Sequence, residues 1–505
     1  MQLADLLSDL EHIDFKGDSE IEITGLAYDS RQVKAGYLFV ALKGNNLDGH
    51  DYLGDAVRRG AIALVTEAFN GTPEKVAVVR VSNSRKALSR LAARFYEEPA
   101  AGLSLVGITG TNGKTTTSYL LESILRAAGA KPGVIGTINY RLGGRTYPAP
   151  VTTPESLDIM RLLREMADEG VTDVIMEVSS HALDQNRTAD CPFKIAVFTN
   201  LSRDHLDYHQ TMEAYFRAKS RLFSGLQATA LEGQAYALIN RDDPKGTELI
   251  RLTQATVMTY GLGTDCDFRA DGVSADYTGI AARLTTPVGD AAVRSPLLGA
   301  FNIYNILAAT GAAVTLGITL EDVISGIEQL KVVPGRLEIV PNGHGLRIVV
   351  DYAHTPDALS KTMQTMKPLV EGKLITVFGC GGDRDKGKRY DMGLAAGQQS
   401  DLVVITSDNP RSEDPATIID QIEKGTRESG LPNLTWTSSR PKFATRGYVI
   451  EADRRKAIRM AVSMAGRKDL VLIAGKGHED YQIVGGERRH FDDREEARLA
   501  ASERG

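Results

Sequence analysis

Cysteine is scarce in this chain of 505 residues: Cys191, Cys266 and Cys380 are the three, an odd number at wide spacings. That excludes a disulfide framework and any Cys-x-x-Cys zinc site, and it points to a reducing, cytoplasmic setting. Long apolar runs are also missing. No stretch reaches the roughly 18 consecutive apolar residues of a bilayer-spanning helix, so no membrane insertion is expected. The opening Met1-Gln2-Leu3-Ala4-Asp5 has no basic segment leading into an apolar core, so no signal peptide is expected. Positive charge is not in surplus: 59 Lys and Arg face 65 Asp and Glu, a net charge of −6. Nucleic acid and anionic membrane are therefore not expected partners, and a phosphorylated substrate must meet positive charge locally. No short repeat or low-complexity tract interrupts the chain. What remains is an ordinary globular mixture, 42% hydrophobic and 25% charged, long enough for two to four domains.

Apolar runs bounded by turn residues divide the chain into three α/β units: 1–100, 101–332 and 333–505. The first predicts strands at 21–24, 37–42, 61–66 and 76–81, then a helix over 84–96, with Glu97-Glu98-Pro99-Ala100 as a linker. The second predicts a strand at 103–108, a helix over 114–128 stopped by Gly129, and strands at 173–178 and 195–200. Its end falls near Lys331-Val332-Val333-Pro334-Gly335. The third predicts strands at 346–351, 374–379, 402–406 and 470–474. Short strands alternating with helical stretches imply parallel, doubly wound sheets. Ligands bind beyond the carboxyl ends of such strands, so the turn-rich segments after the last four strands are site candidates by position.

The most specific segment is Gly107-Ile108-Thr109-Gly110-Thr111-Asn112-Gly113-Lys114-Thr115-Thr116-Thr117. Glycines let the backbone wrap so that N–H groups converge on phosphate oxygens, and a helix N-terminus adds partial positive charge. Lys114 supplies a full charge, and the Thr115 hydroxyl can ligate Mg²⁺. The loop is a variant, because the usual spacing requires glycine at position 108 and Ile108 stands there.

Other candidates are less specific. Glu177 ends an apolar strand expected beside the phosphate-loop strand, where a carboxylate either meets a cation or reaches the surface. His181 and His205 follow neighbouring strands and are either structural or functional. Lys219, on its own, reads as an exposed helical lysine. Arg411, in Asp408-Asn409-Pro410-Arg411, reads on its own as a surface turn arginine.

Taken together, Gly110–Thr116, Met176-Glu-Val-Ser-Ser-His181, Asn200-Leu-Ser-Arg-Asp-His205 and Tyr215-Phe-Arg-Ala-Lys219 resemble the central domain of the Mur ligases. Further along, Gly299-Ala-Phe-Asn302-Ile-Tyr-Asn305, Pro334-Gly-Arg336-Leu-Glu338 and Asp351-Tyr-Ala-His354 match as well. The resemblance runs from Asp29-Ser30-Arg31 to His478 and is strongest to the members that add the third residue of the peptidoglycan peptide. It implies a small N-terminal uridine-binding α/β domain, a central P-loop-type, mostly parallel ATPase domain and a C-terminal Rossmann-like domain. It puts UDP-N-acetylmuramoyl-L-Ala-D-Glu against Tyr28, Ser30, Asn45, Asn46, Leu47, Thr152, Thr153, Ser179, Gln185 and Arg187. ATP contacts fall on Gly110 to Thr116, Asn302, Arg336 and Asp351. The metal set is Thr115, Glu177, His205 and Lys219, for two Mg²⁺, with Lys219 carbamylated by CO₂. Lys114, Glu177, His205 and Lys219 are the implied catalytic group.

For the third amino acid, Arg384, Asp408, Asn409, Pro410, Arg411, Gly475 and Glu479 resemble the residues of meso-diaminopimelate-adding enzymes. The chemistry agrees: an arginine fork suits the far carboxylate of diaminopimelate and repels the ammonium of lysine. The implied reaction makes an acyl phosphate from ATP and then an amide, carried out by a monomer whose third domain closes near residues 331–335. A lysine-adding relative and a P-loop regulatory ATPase are the alternatives.

Overall fold

The computed structural model describes residues 1–44, 47–68, 76–226, 234–434 and 446–504. Its contacts form two compact units. One is Met1–Arg269 with Thr285–Gly289 and Tyr304–Gly326; the other is Ala270–Leu284 with Asp290–Ile303 and Ile327–Gly505. Strands such as Pro132–Ile135 in the first and Leu374–Phe378 and Leu470–Ala474 in the second are buried at every position. Continuous apolar runs of this kind are what parallel strands between two helix layers require.

The first unit holds two sheets. The N-terminal sheet has the order Asp14–Lys16, Ala77–Arg80, Ala61–Thr66, Tyr37–Val40, Gly25–Ala27, with the first pair antiparallel and the rest parallel. The strand expected at 21–24 is displaced. Glu22 makes a single bridge to Gln2, and the strand proper is Gly25–Ala27. Glycine is needed there because a Cβ at Gly25 would lie 2.4 Å from the Tyr37 ring. The helix expected over 84–96 is Ser84–Phe95, its first turn capped by Asn83, whose side chain accepts from the Lys86 amide at 2.9 Å.

In the second sheet the parallel strands run Thr256–Gly261, Tyr236–Asn240, Phe193–Phe198, Ser104–Thr109, Asp173–Glu177, Pro132–Ile135. Antiparallel Asn139–Leu142 and Arg145–Pro148 extend it beyond Pro132–Ile135. The strand leading into the phosphate loop therefore lies between Asp173–Glu177 and Phe193–Phe198, with Glu177 level with Ile108 and Phe198 level with Thr109. That register brings the loops after all three strands to one edge.

The second unit carries Glu338–Ile339, Arg347–Asp351, Leu470–Ala474, Leu374–Phe378, Leu402–Ile405 and Gly447–Ile450, parallel except at its first edge. A hairpin, Tyr481–Val484 with Glu487–His490, turns through Gly485 and Gly486, both at positive φ. Two consecutive positive-φ residues are the geometry of a tight hairpin turn. Among the described residues no helix is long and apolar enough to cross a membrane.

Candidate active site

The loop at the end of Ser104–Thr109 depends on two glycines. Gly110 has φ +143°, and a Cβ there would lie 1.9 Å from Thr199 Oγ1. Gly113 has φ +90°, and its Cβ would lie 2.3 Å from Asn305 Oδ1. The neighbouring strand end braces the loop. The Thr111 amide donates to the Asn200 carbonyl at 2.8 Å, the Asn112 amide to Asn200 Oδ1 at 3.0 Å, and Thr199 Oγ1 to the Asn112 carbonyl at 2.6 Å. Lys114 opens the following helix and curls its Nζ onto the carbonyls of Gly110 (2.8 Å) and Thr111 (2.9 Å). The Lys114 side chain is thus held on the loop by two of its carbonyls.

Glu177 is buried directly beneath. Its carboxylate accepts from Thr115 Oγ1 at 2.9 Å, Thr137 Oγ1 at 2.7 Å, the Thr137 amide at 3.1 Å and Ser118 Oγ at 3.4 Å. All four donors are neutral groups. Glu177 lies beside the phosphate-loop strand, as expected, and is buried rather than at the surface; Thr137 is a partner the sequence reading missed. Oxygen donors from one hydroxyl and one carboxylate suit Mg²⁺, which takes few ligands from protein and the rest from water and phosphate. Among the described residues no group of three His, Cys, Asp or Glu could hold a metal alone.

Lys219 overturns its residue-level reading. It is 1% exposed, not a surface lysine, because the Met212–Ser224 helix turns that face inward. Its Nζ donates to the Gly110 carbonyl at 2.9 Å and stands 4.5 Å from the centre of the Tyr215 ring. Burial, then the nearby Lys114 charge, lowers its pKa well below the ordinary lysine value. The Tyr215 hydroxyl also lies 3.2 Å from Thr111 Oγ1.

The histidines gather here. The His181 and His205 rings are 4.9 Å apart, and His209, which the sequence reading passed over, lies tilted 5.4 Å from His181. Burial, then His205, brings the His181 pKa down to about 4. His205 takes a left-handed φ of +53° and is likewise shifted down, by its enclosure in protein and by Lys114 and Lys219.

A polar cradle continues from Glu177. Thr153 Oγ1 donates to the Glu177 carbonyl at 2.8 Å and accepts from the Ser179 amide at 3.0 Å; Thr152 Oγ1 lies 3.1 Å from Thr137 Oγ1. Arg187 donates to the Thr153 carbonyl at 2.8 Å and to Gln185 Oε1 at 2.7 Å, and pairs with Glu155 at 3.1 Å. The structure therefore joins Thr152, Thr153, Ser179, Gln185 and Arg187 through contacts with Glu155 and Glu177. Tyr28 is tied to Asp158 by a 2.7 Å hydrogen bond, and burial beside that carboxylate raises its phenol pKa. Ser30 is buried nearby in sequence, whereas Leu47 is 66% exposed. Asn45 and Asn46 lie outside the described residues.

In the second unit, Asp408, Asn409 and Glu479 surround Lys476, which is wholly buried. Lys476 Nζ lies 3.1 Å from Asp408 Oδ1 and donates to Asn409 Oδ1 at 2.9 Å; Asn409 Nδ2 donates to Glu479 Oε2 at 2.9 Å. Burial, then Asp408, raises the Glu479 pKa. Burial also acts upward on Asp408, but Lys476 and Arg454 bring it below the usual value. Arg411 is half-buried and donates to the Gly382 carbonyl at 2.7 Å. It is not the free surface arginine that turn chemistry alone suggests, because the Gly381–Asp383 loop packs on it. Arg384 is exposed on the loop after Leu374–Phe378. Gly475, at φ +117°, leaves space beside Asp408.

Asp351 accepts from the amides of Leu337 (2.8 Å) and Ala353 (2.9 Å), so it braces the segment that carries Arg336, whose guanidinium covers the Tyr352 ring. Asn302 is buried and donates to the Leu298 carbonyl at 2.7 Å.

Comparisons with known proteins agree along the chain. Residues 22–96 match the model of the Mur ligase family catalytic domain, residues 108–313 the Mur ligase middle domain, and residues 335–477 the Mur ligase glutamate ligase domain. A UDP-N-acetylmuramoyl-L-alanyl-D-glutamate--2,6-diaminopimelate ligase of Geobacter sulfurreducens is 50% identical over 498 residues, 98% of each chain. A solved structure of a ligase with that same name is 33% identical, with a TM-score of 0.69 over 100% of this chain and 99% of that one. The MurF ligase of Thermotoga maritima in complex with ADP, 21% identical with a TM-score of 0.60 over 90% and 94%, shares the fold.

Proposed function

Since the chain belongs to the Mur ligase family, we propose that it is an ATP-dependent ligase that joins meso-diaminopimelate to the D-glutamate of UDP-N-acetylmuramoyl-L-Ala-D-Glu in the cytoplasm. A carboxylate is a poor electrophile, since its leaving group would be oxide. In this reading the substrate carboxylate takes the γ-phosphoryl group of ATP and releases ADP. The diaminopimelate amine then attacks the acyl carbon, loses a proton, and expels phosphate.

The chain's own part is to position two anions and offset their charge. The phosphate loop and Lys114 hold the polyphosphate. Thr152, Thr153, Ser179, Gln185 and Arg187 hold the acceptor substrate, with Tyr28, Ser30 and Leu47 toward its uridine end. Glu177, Thr115 and His205 are the residues that would hold Mg²⁺, which would neutralise charge on the phosphates. Asn302, Arg336 and Asp351 are assigned to the nucleotide. Arg384 and Arg411 meet the carboxylates of diaminopimelate, and Glu479, with Asp408, Asn409 and Gly475 around it, meets its ammonium.

Lys219 is proposed to be carbamylated. Only an unprotonated amine attacks CO₂, and burial beside Lys114 favours that form. The product is an anionic oxygen donor, which a free ammonium is not.

One observation carries the reading: a buried carboxylate, Glu177, bonded to the first hydroxyl of the phosphate-loop helix, Thr115. Phosphate release with UDP-N-acetylmuramoyl-L-Ala-D-Glu, comparing meso-diaminopimelate, L-lysine and L-ornithine, tests it. Release that depends on meso-diaminopimelate is expected. Release indifferent to any amino acid would leave a simple ATPase in its place.

A further inference from the structure

Arg384 and Arg411 stand on different loops of the second unit, one after Leu374–Phe378 and one after Leu402–Ile405. Selecting a molecule with carboxylates at two ends depends on the separation of those loops. Arg411 also has a left-handed φ of +52°, a conformation that residues with side chains rarely adopt. Two backbone hydrogen bonds hold it: its amide donates to the Ile483 carbonyl at 3.0 Å, and the Gly485 amide donates to its carbonyl at 2.8 Å.

An ion pair lies at the base of both loops. Arg389, on the helix Gly387–Gln399, has no exposed side-chain surface. It donates to Glu413 Oε2 at 3.0 Å and Oε1 at 2.9 Å, to the Gly381 carbonyl at 3.2 Å and to Gln421 Oε1 at 2.9 Å. Glu413 Oε1 also accepts from the Asp383 amide at 2.6 Å. The pair therefore grips the Arg384 loop at Gly381 and Asp383 and the Arg411 loop at Glu413.

The seam above it is equally close. The Gly382 amide donates to the Asn409 carbonyl at 2.9 Å, and Ser412 Oγ donates to Asp383 Oδ1 at 2.7 Å. A Cβ at Gly382 would lie 1.9 Å from the Pro410 carbonyl oxygen. Hydrogen bonds from Arg389 hold the Glu413 carboxyl down at about 2, so that carboxylate stays ionised near neutral pH.

We propose that Arg389 and Glu413 are positioning residues that fix the separation of the Arg384 and Arg411 loops and thereby set the preference for an amino acid bearing a second, distal carboxylate. The proposal rests on the function proposed above. Arg389 is too deeply buried to meet a substrate, and Glu413 would repel a carboxylate, so both act through the two arginines. A bidentate, charge-assisted pair is directional where apolar packing is not.

The test uses the full-length protein and phosphate release with the UDP-linked dipeptide. Wild type, Glu413→Gln and Arg389→Lys are compared for kcat/KM with meso-diaminopimelate, kcat/KM with L-lysine, and KM for ATP. Glu413→Gln keeps the shape and one acceptor oxygen, so it guards against a folding failure of Arg389→Lys. The expected result is a fall of about tenfold or more in kcat/KM for diaminopimelate, the scale of one charge-assisted hydrogen bond, with the lysine value and KM for ATP unchanged. A ratio of the two amino acids that stays at the wild-type value in Glu413→Gln, whether both activities fall together or neither does, overturns the positioning role. Wild type that shows no preference for diaminopimelate overturns the functional reading and this proposal with it.

Discussion

Lys219 and Gly110 are joined by a 2.9 Å hydrogen bond from the lysine Nζ to the glycine carbonyl, which also accepts from Lys114 Nζ at 2.8 Å. Two lysines thus share one carbonyl at the start of the phosphate loop. Burial, then the Lys114 charge, holds the Lys219 pKa well below the ordinary lysine value.

Lys219→Ala is expected to lower turnover by about 10²-fold or more, the scale of losing one preorganised charge at a reacting centre. Wild type in CO₂-depleted buffer should lose activity and regain it with bicarbonate. Activity indifferent to bicarbonate would exclude the carbamate.

The same lysine makes a stability prediction. Its folded pKa lies below its unfolded value of 10.5, so between the two the unfolded state binds more protons and stability rises with pH. In CO₂-free buffer, Lys219→Met should raise Tm at pH 7, with the gain shrinking as pH approaches 10.5. Thermal melts across that range decide it.

Gly113→Ala introduces a Cβ 2.3 Å from Asn305 Oδ1 at a φ of +90°. It should raise KM for ATP by at least about tenfold and leave the second unit's sheet untouched. Nucleotide titration by calorimetry would detect a loop that still closes on phosphate.

Glu177→Gln keeps the shape but removes the charge. Wild type should gain thermal stability from Mg²⁺ with nucleotide, following ligand linkage. The variant should gain much less, and equal gains would move the cation elsewhere.

His181 has its pKa lowered from 6.5 to about 4, so across that interval the unfolded state binds the extra proton. Stability should fall as pH drops from 6.5 toward 4 and should fall less in His181→Asn. Denaturant midpoints at pH 7 and pH 5 measure the difference.

Much of the fold was legible because parallel strands buried on both faces must be apolar throughout. The strands near 104, 173, 193, 374, 402 and 470 therefore announce themselves. The strand Gly25–Ala27 did not, being three residues long and containing a glycine selected by the Tyr37 ring. The hairpin at residues 481–490 was missed although Gly485-Gly486 marks its turn, because Glu487–His490 is polar and exposed and Tyr481–Val484 is only half-buried.

The sequence by itself determined the glycine-rich turn between strand and helix, since glycines placed before a Lys-Thr pair let the backbone wrap there, and it carried the ordered motifs of the family. Only the tertiary structure decided which side chains face inward. It turned Lys219 from a helical surface lysine into a buried amine, surrounded Glu177 with neutral hydroxyls from Thr115, Thr137 and Ser118, and set Arg389 against Glu413 beneath two loops. Burial and partners separated by tens to hundreds of residues fix these charges, and neither is a property of a local stretch of chain.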